Sequence, residues 1–488
     1  MMRRLPILFT GALLASGVLF VVACSDSSDG PSAHAFDEDS GASDDSSVAN
    51  LPPPSHDPVD SGADVTTTPD ASKDAAPPNY DASDEAVACV DGAPCAVKLA
   101  AGERHVCALI NDGTVRCWGD NTKGAVGMPI VDAGTDPDAA PPVVDAGVTS
   151  GIAPRTVANI TNATQLSAAD DNTCVRLADG TVQCWGKNDT GQLGLQISPP
   201  KTDSTAHPAA NVVPLTGAAT RVDVGHGAVC AVMDSGELWC WGQNAQGQML
   251  RRGAPTIAGP GGATLGGLDV REAVASNTTI YAKATDGALY SWGLVSGRIT
   301  SYLLDPVPRA MDPFSSVVDF AVSSAQVDSA SGKGRFHTCA IAEGQVYCWG
   351  VKIAGDMPAL CSGTPNDSVV PVLAPVAPAE TEKTAYPQQL AVARYNTCVR
   401  LTDGTIQCCG DDSLGQMGAG TPAPNPAVLN FTKASALQGY AVQVVTSQFA
   451  VCALLKNGSV SCWGGNKYGE LGQGTVDSKP HATPVKVF

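Results

Sequence analysis

The sequence predicts an all-β protein that folds as a seven-bladed β-propeller with four-stranded blades. Three observations support this prediction. A segment ending in Cys-Trp-Gly, or a close variant of it, recurs seven times, with 51 to 67 residues between successive copies. Each period holds about four short apolar runs, as expected for one propeller blade. The chain also contains 51 Gly and 35 Pro but only 16% charged residues, a composition that favours strands and turns.

The first 24 residues have the pattern of an export signal. Arg3 and Arg4 precede an apolar run, and Ala23-Cys24 follows it. The small residue before Cys24 resembles the lipobox of bacterial lipoproteins. This resemblance implies lipidation of Cys24, and Ser25 implies export to the outer membrane. We therefore expect an envelope protein, facing the periplasm or cell surface and held to the membrane by its lipid alone. An uncleaved signal anchor or an ordinary cleavable signal is the alternative.

Residues 25–88 are predicted to be a disordered acidic tether. They contain fifteen Asp or Glu residues against one Lys, and almost no large apolar side chains. Such a segment cannot bury enough surface to offset the entropy lost on ordering. The chain's net charge is −19, which argues against nucleic acid as a partner because a nucleic-acid-binding face must be basic.

The first copy of the repeat, residues 107–119, predicts a β-hairpin. Its turn is Asn-Asp-Gly at 111–113, with Gly in the position that needs a left-handed residue. Counting outward from this turn places Cys107 opposite Cys117. Directly opposed Cβ atoms lie about 4.5–5.5 Å apart, which is close to the range that a disulfide requires.

The same count pairs the cysteines of the other copies: Cys174 with Cys184, Cys230 with Cys240, Cys398 with Cys408, and Cys452 with Cys462. In the fifth copy Cys339 and Cys348 are only nine residues apart, but the turn is one residue shorter, so they again face each other. In the fourth copy Tyr281 and Ser291 replace both cysteines together. These correlated changes favour cross-strand disulfides.

Four of the seventeen cysteines remain once Cys24 and the twelve hairpin residues are removed. Cys89 and Cys95 would close a small loop at the start of the domain, and Cys361 with Cys409 is left by elimination. Zinc ligation is the alternative, but zinc sites usually use closely spaced Cys pairs. We predict structural disulfides, no metal and no cofactor, and an oxidising compartment.

Two further strands complete each repeat. One leads into the hairpin, and the other begins near a Pro, a residue that belongs on an edge strand or at a strand start. The first repeat lacks a convincing Pro-led strand, whereas the chain ends on one, Pro484 to Phe488. We therefore expect the C-terminal strand to close the ring by completing the first blade.

The repeat resembles the regulator of chromosome condensation repeat, in the Cys-paired form of secreted bacterial proteins. The motif Cys-Ala-Leu-x-x-Asp-Gly-x-Val-x-Cys-Trp-Gly-x-Asn-x-x-Gly-Gln-Leu-Gly is carried almost intact by residues 174–194, and by 452–472 with Glu470 for Gln. The resemblance covers roughly 89–488 and implies a seven-bladed propeller. Blade six departs from the motif, since Cys409 replaces Trp.

The predicted function is that of a monomeric module that binds a protein or a glycan. Loops on a rigid scaffold usually carry binding, and loops 120–150 and 322–337 differ most among the copies, although the binding residues themselves stay unknown. A nucleotide-exchange factor like the family's namesake is one alternative, opposed by the export signal, the cysteines and the acidic charge. The other is a secreted hydrolase or lyase.

No catalytic constellation is apparent in the sequence. His105 and His337 occupy the same repeat position, two before Cys, which indicates repeat residues rather than catalytic ones. The repeated Asp residues, of which Asp112 and Asp179 are examples, stand where turns favour Asp. We therefore predict a protein that is not an enzyme.

Overall fold

The computed structural model describes residues 86–89, 93–130, 150–295, 297–298, 303–312, 314–323, 326–327, 334–351, 360–378 and 385–488. Within these ranges the protein is an all-β, seven-bladed propeller with four-stranded blades, as predicted. The predicted signal, Cys24 and most of the tether lie outside them. None of the described residues forms a helix long and apolar enough to cross a membrane.

Each blade is an antiparallel sheet of consecutive strands, with the first strand innermost. Blade 1 contains β1 (Ala96–Ala101), β2 (His105–Ile110), β3 (Val115–Gly119) and β4 (Ile152–Thr156); blade 2 contains β5 (Ala163–Ala169), β6 (Asn172–Leu177), β7 (Val182–Asn188) and β8 (Asp203–Val212). Blade 3 contains β9 (Ala219–Val224), β10 (Ala228–Met233), β11 (Leu238–Gln243) and β12 (Ile257–Gly262); blade 4 contains β13 (Val270–Ala275), β14 (Thr279–Ala284), β15 (Leu289–Val295) and β16 (Leu303–Ala310).

The remaining three blades follow the same order. Blade 5 contains β17 (Val317–Val322), β19 (Gly334–Ala342), β20 (Gln345–Val351) and β21 (Ser368–Leu373), with a short extra strand, β18 (Gln326–Val327), paired to β19. Blade 6 contains β22 (Pro387–Val392), β23 (Asn396–Leu401), β24 (Ile406–Asp411) and β25 (Ala427–Lys433); blade 7 contains β26 (Ala441–Thr446), β27 (Ala450–Leu455), β28 (Val460–Asn466) and β29 (Asp477–Lys486).

The predicted closure of the ring by the C-terminal strand is wrong. Strand β29 pairs with β28 and completes blade 7, whereas blade 1 takes its fourth strand from β4. The Pro-led strands therefore end each repeat rather than begin it. Contacts between blades 1 and 7 close the ring instead. A core of residues such as Ala96 and Leu99 from blade 1 packs against Val442 and Leu454 from blade 7, and the N–H of Ala96 donates to the carbonyl of Gly458 at 3.2 Å.

The Pro-led strands are the outermost strands of their blades. Six of the seven outer strands contain Pro, including Pro154 in β4 and Pro371 in β21. Because Pro has no N–H to offer to another strand, its presence protects the exposed edge of each sheet from pairing with another chain.

The six hairpin disulfides within blades are confirmed. Cys107 lies directly opposite Cys117 in the β2–β3 register, and their Cα atoms are 4.0 Å apart. The shorter hairpin of blade 5 likewise places Cys339 opposite Cys348, at 4.1 Å. In blade 4, Tyr281 pairs with Ser291 in the same register. Cys89 with Cys95, and Cys361 with Cys409, form two further disulfides.

The repeated Trp residues join neighbouring blades. All six are fully buried, and five donate their Nε1–H to a backbone carbonyl in the loop between the third and fourth strands of the preceding blade. For example, Trp185 donates to Ala125 at 2.9 Å and Trp118 donates to Glu470 at 2.8 Å. In blade 6 the Trp position holds Cys409, whose disulfide partner, Cys361, follows the third strand of blade 5. A covalent bond thus occupies the place of the Trp contact.

Candidate functional site: the loop face

The two faces of the ring differ in how much the repeats vary. We call loop face the side formed by the loops between first and second strands and between third and fourth strands. The hairpin turns form the opposite side, the turn face. In blade 1 the two kinds of loop meet on the loop face, where Asp120 N donates to Arg104 O at 3.0 Å.

The turn face is built from repeated backbone contacts. Asp112 Oδ1 accepts the N–H of Thr114 at 2.9 Å, and Asp179 does the same for Thr181. The turn carbonyl of Gly113 then accepts the N–H of Ala163, the first residue of the next inner strand. The repeated Asp residues therefore shape turns, and these hydrogen bonds lower the pKa values of the Asp112 and Asp179 carboxyls.

His105 and His337 lie between blades rather than at a surface. Nε2 of His105 is 2.8 Å from Thr173 Oγ1 in the next blade, and His337 makes the same contact with Thr397 at 2.9 Å. Burial lowers the pKa of each imidazole to about 3. Each histidine is thus neutral at physiological pH and links two blades.

The loop face is most variable at the fourth residue before the first Cys position of each copy. In six copies these residues surround the mouth of the central channel, and we call them the mouth ring: Glu103, Asp170, His226, Asn277, Arg394 and Gln448. Five of the six, all but Asn277, line a cavity of about 190 Å³ at this mouth. Below the ring the cavity wall is apolar, with Phe320 and Val392 among its residues.

The mouth ring contains two carboxylates, Glu103 and Asp170, and two basic side chains, His226 and Arg394. His226 Nδ1 lies 2.7 Å from Asp170 Oδ1. Burial disfavours the charged form of each side chain, but the attraction and hydrogen bond between the two outweigh this effect. The pKa of His226 is therefore raised and that of Asp170 is lowered. Glu103 lies beside this pair, and burial followed by repulsion from Asp170 and Asp171 raises its pKa.

Both ring nitrogens of His226 have partners in the part of the chain that the structure covers: Nδ1 lies beside Asp170, and Nε2 is 3.3 Å from the carbonyl oxygen of Val322. No three His, Cys, Asp or Glu residues of that part come together as they would around a metal ion. The arrangement suits electrostatic recognition of a ligand.

Three aromatic side chains form a stripe across blades 6 and 7 beside the mouth. Tyr395 and Phe449 have ring centroids 6.4 Å apart, and Phe449 and Tyr468 are 6.1 Å apart with an interplanar angle of 27°. All three are half-buried. Arg394 lies over Tyr395 at 5.0 Å, and Arg104 lies over Tyr468 at 5.1 Å.

Arg104 fixes one end of this aromatic stripe. Its guanidinium contacts Asp120 at 3.1 Å and Asp171 at 3.0 Å. The stripe therefore continues into an ion-pair network on blades 1 and 2, and its end is held in a defined position.

Both loops that were predicted from the sequence to bind a ligand have one end at this site, in residues that the structure describes. Residues 131–149 of the first loop lie outside the described residues, but Gly151, just after them, donates its N–H to Tyr468 O at 2.8 Å. The second loop starts at Val322, whose carbonyl contacts His226. The second loop includes the added β18–β19 pairing.

The sequence predictions missed both the mouth ring and the aromatic stripe. A signal for them was present. If the copies are aligned on their first Cys position, the third and fourth residues before it read Glu-Arg, Asp-Asp, His-Gly, Asn-Thr, Arg-Tyr and Gln-Phe in the six copies with this loop length. The surrounding strand residues change far less, so these two positions mark where the copies diverge.

Comparison with known proteins agrees with this architecture. The Regulator of chromosome condensation (RCC1) repeat model matches residues 96–125, 163–192, 219–248 and 441–470. The E3 ubiquitin-protein ligase HERC2 of Mus musculus is 27% identical over 321 residues, which are 63% of this chain but only 6% of the ligase. Protein pim1 of Schizosaccharomyces pombe is 24% identical over 381 residues, covering 74% of this chain and 68% of pim1.

A solved structure supports the same fold. The crystal structure of human WBSCR16 superimposes with a TM-score of 0.58 at 18% identity, covering 77% of this chain and 94% of that one. Four of the seven observed blades thus match the regulator of chromosome condensation repeat. The likeness to human WBSCR16 is one of fold.

Proposed function

We propose that this protein acts outside the cytoplasm as a membrane-anchored module that binds a protein ligand through its loop face. The observation that carries the proposal is the half-buried aromatic stripe of Tyr395, Phe449 and Tyr468, flanked by Arg394 and Arg104. Tyr, Phe and Arg are the residue types that dominate protein–protein interfaces.

The compartment follows from the cysteines. The structure contains eight disulfides, which persist in an oxidising, extracytoplasmic environment. The lipidated Cys24 and the acidic segment 25–88 would then form an anchor and an extended spacer. Such a spacer would let the loop face reach a partner away from the membrane.

A protein ligand is favoured over a glycan because cations already lie over both tyrosine rings of the stripe. Arg394 lies over Tyr395, and both Arg104 and Lys467 lie over Tyr468, at 5.1 and 5.4 Å. A sugar needs an open ring face on which to stack. A mixed surface of aromatic rings and guanidinium groups instead supplies the anchors and ion pairs of a protein interface.

The test is affinity capture from cell-envelope extract with the full-length protein. The Phe449→Ser and Tyr468→Ser variants should lose the captured ligand. Trp239→Ser is the matched control, because Trp239 is a half-buried ring near the turn face, and it should keep the ligand. Non-reducing mass spectrometry would check that the eight disulfides remain. Equal capture by all variants, or release of the ligand by glycosidases alone, would exclude a protein ligand at the stripe.

A further inference from the structure

A second ring of polar residues lies inside the central channel, at the third position of each inner strand. Its seven members, which we call the channel ring, all line one cavity: Lys98, Gln165, Arg221, Glu272, Asp319, Gln389 and Gln443. Because the inner strands run toward the loop face, this ring lies in the half of the channel nearer the turn face. It is distinct from the mouth ring.

The three glutamines show what this position does in an uncharged channel. Gln165 accepts the N–H of Val222 at 2.9 Å and donates to the carbonyl of the same residue at 2.8 Å. Gln443 forms the same pair of hydrogen bonds with Leu99, at 2.7 and 2.8 Å. One amide therefore satisfies both backbone groups that the next inner strand turns toward the channel. A closed, neutral ring could consist of glutamine throughout.

Charged side chains replace glutamine in the other four blades. They satisfy the backbone groups of the next inner strand less completely than glutamine does. Arg221 contacts Glu272 at 2.7 Å and Asp223 at 2.8 Å. Asp319 accepts the N–H of Leu390 at 2.7 Å but has no proton to donate when ionised. Burial raises the pKa of Glu272 to about 7 and that of Asp319 to about 6. Charged groups that are buried despite the free-energy cost of desolvation indicate candidate functional sites.

The charge of the cavity wall opposes the charge of the chain. The wall contains five cationic residues, namely Lys98, Arg176, Arg221, Arg271 and Lys283, against three carboxylates, namely Asp223, Glu272 and Asp319. The whole chain, by contrast, has a net charge of −19. Cations are in excess on this wall, and a narrow concavity concentrates the resulting positive potential, which attracts small anions.

The volume of the cavity limits the size of a ligand that can bind there. The cavity holds about 560 Å³, within the range of roughly 300–1,000 Å³ that is usual for small-molecule sites. It lies between seven inner strands, whose spacing is fixed by the blade packing, so a folded macromolecule is too large to enter.

We propose that the channel cavity binds a small organic anion, whose carboxylate or phosphate group pairs with the cations of the wall and whose hydroxyl groups donate to Glu272 and Asp319. This site is independent of the protein ligand proposed for the loop face. Its occupant bridges blades that glutamine does not join, so binding stabilises the ring.

The experiment uses the full-length protein, with D-glucuronate and inorganic phosphate as charged probes and D-glucose as the uncharged one. At constant ionic strength set with NaCl, we expect at least one anion, but not glucose, to raise Tm by several degrees. Titration calorimetry then gives the affinity. A response to glucuronate alone assigns the anion as a carboxylate, and a response to phosphate alone assigns it as a phosphate.

The decisive variants are Lys98→Gln and Arg271→Gln. Lys98→Gln installs the amide that three other blades use, so this variant should fold with an unchanged or higher Tm without ligand. Together the two substitutions should weaken binding of the anion at least tenfold. Lys479→Gln, on exposed strand β29, is the matched control. Unchanged binding by the double variant, or no anion effect beyond that of NaCl, would overturn the proposal.

Discussion

Replacing Glu470 by Gln is expected to stabilise the fold, and to do so more at pH 8 than at pH 5. Glu470 occupies a position that holds Gln192, Gln248 and Gln416 in three other blades. Its side chain is fully buried. One carboxylate oxygen accepts the N–H of Tyr468 at 2.8 Å, but the other has no hydrogen-bond partner in the described structure.

In two of the three blades that hold Gln at this position, its amide nitrogen donates a hydrogen bond. In blade 3 the buried Gln248 donates its Nε2–H to backbone carbonyls at 3.0 and 3.1 Å, and in blade 2 Gln192 donates to Asp189 at 3.0 Å. An ionised Glu470 cannot donate. Burial is the main reason that the pKa of its carboxyl rises from the ordinary 4.5 to about 7.

The magnitude follows from proton linkage. A carboxyl whose pKa is raised in the folded state destabilises the fold above that pKa, because the unfolded state ionises more easily. Its cost is largest above the folded pKa and fades as pH falls toward the unfolded one. With 1.36 kcal/mol per pH unit, the raised pKa of Glu470 costs about 3 kcal/mol of stability at pH 8 and about 1 kcal/mol at pH 5.

The assay is denaturant unfolding of wild type and Glu470→Gln at pH 8 and pH 5, with disulfides intact. The variant should gain about 3 kcal/mol at pH 8, and the gain should shrink by about 2 kcal/mol at pH 5. Glu343→Gln, on an exposed turn, controls for the loss of one negative charge. A gain of equal size at both pH values, or none at pH 8, would refute the assignment of a buried, unsatisfied carboxylate.

Three further changes test other contacts. Between pH 7.5 and 5 the wild type should lose about 2 kcal/mol relative to His105→Gln, because the unfolded imidazole takes up a proton near pH 6.5 while the folded one, with its pKa near 3, does not; parallel unfolding curves at the two pH values would contradict this. Replacing both Cys361 and Cys409 by Ala should cost about 4 kcal/mol, since their disulfide closes a long loop; urea unfolding measures it, and a loss below about 1 kcal/mol would exclude a structural role. Deleting residues 481–488 removes most of the β28 pairing of the last strand, so Tm should fall strongly in calorimetry, and an unchanged Tm would show that β29 is dispensable.

The hairpins could be predicted in detail because their information is local. The turn residues fix the register, and the register fixes which cysteines face each other. The distance from Cys107 to Cys117 is therefore set by eleven consecutive residues. The disulfide of blade 5 could be predicted in the same way, because its turn and its Cys spacing are both one residue shorter.

The order of strands within a blade could not be fixed in the same way. Strand β4 is separated from β3 by 32 residues but from β5 by only six. Proximity in sequence therefore assigned it to the following repeat, and that choice shifted every later outer strand by one blade. Strand β4 pairs with β3 across the long loop that follows Gly119. This pairing depends on tertiary contacts, and no turn sequence indicates it.

The mouth ring and the channel ring were hidden for a different reason. Each is composed of single residues that lie 47 or more positions apart, and only closure of the ring brings them together. Arg221 and Glu272 have no special sequence context, yet they form an ion pair at 2.7 Å because adjacent inner strands place the same repeat position side by side. In a propeller, residues at the same position of successive repeats thus lie side by side in a ring around the channel.

Blade 6 shows how a single departure from the repeat can be compensated within the same contact. Elsewhere the Trp ring fills the space between blades. In five blades its Nε1–H donates to a carbonyl of the preceding loop, and in blade 5 Trp349 donates to the hydroxyl of Tyr281. Cys409 is too small to do either, but it is fully buried and bonded to Cys361. The covalent bond restores the connection between blades 5 and 6, and Phe431 and Leu390 are part of the apolar cluster around it. The substitution therefore preserves the ring, because the lost packing contact and the new disulfide join the same two blades.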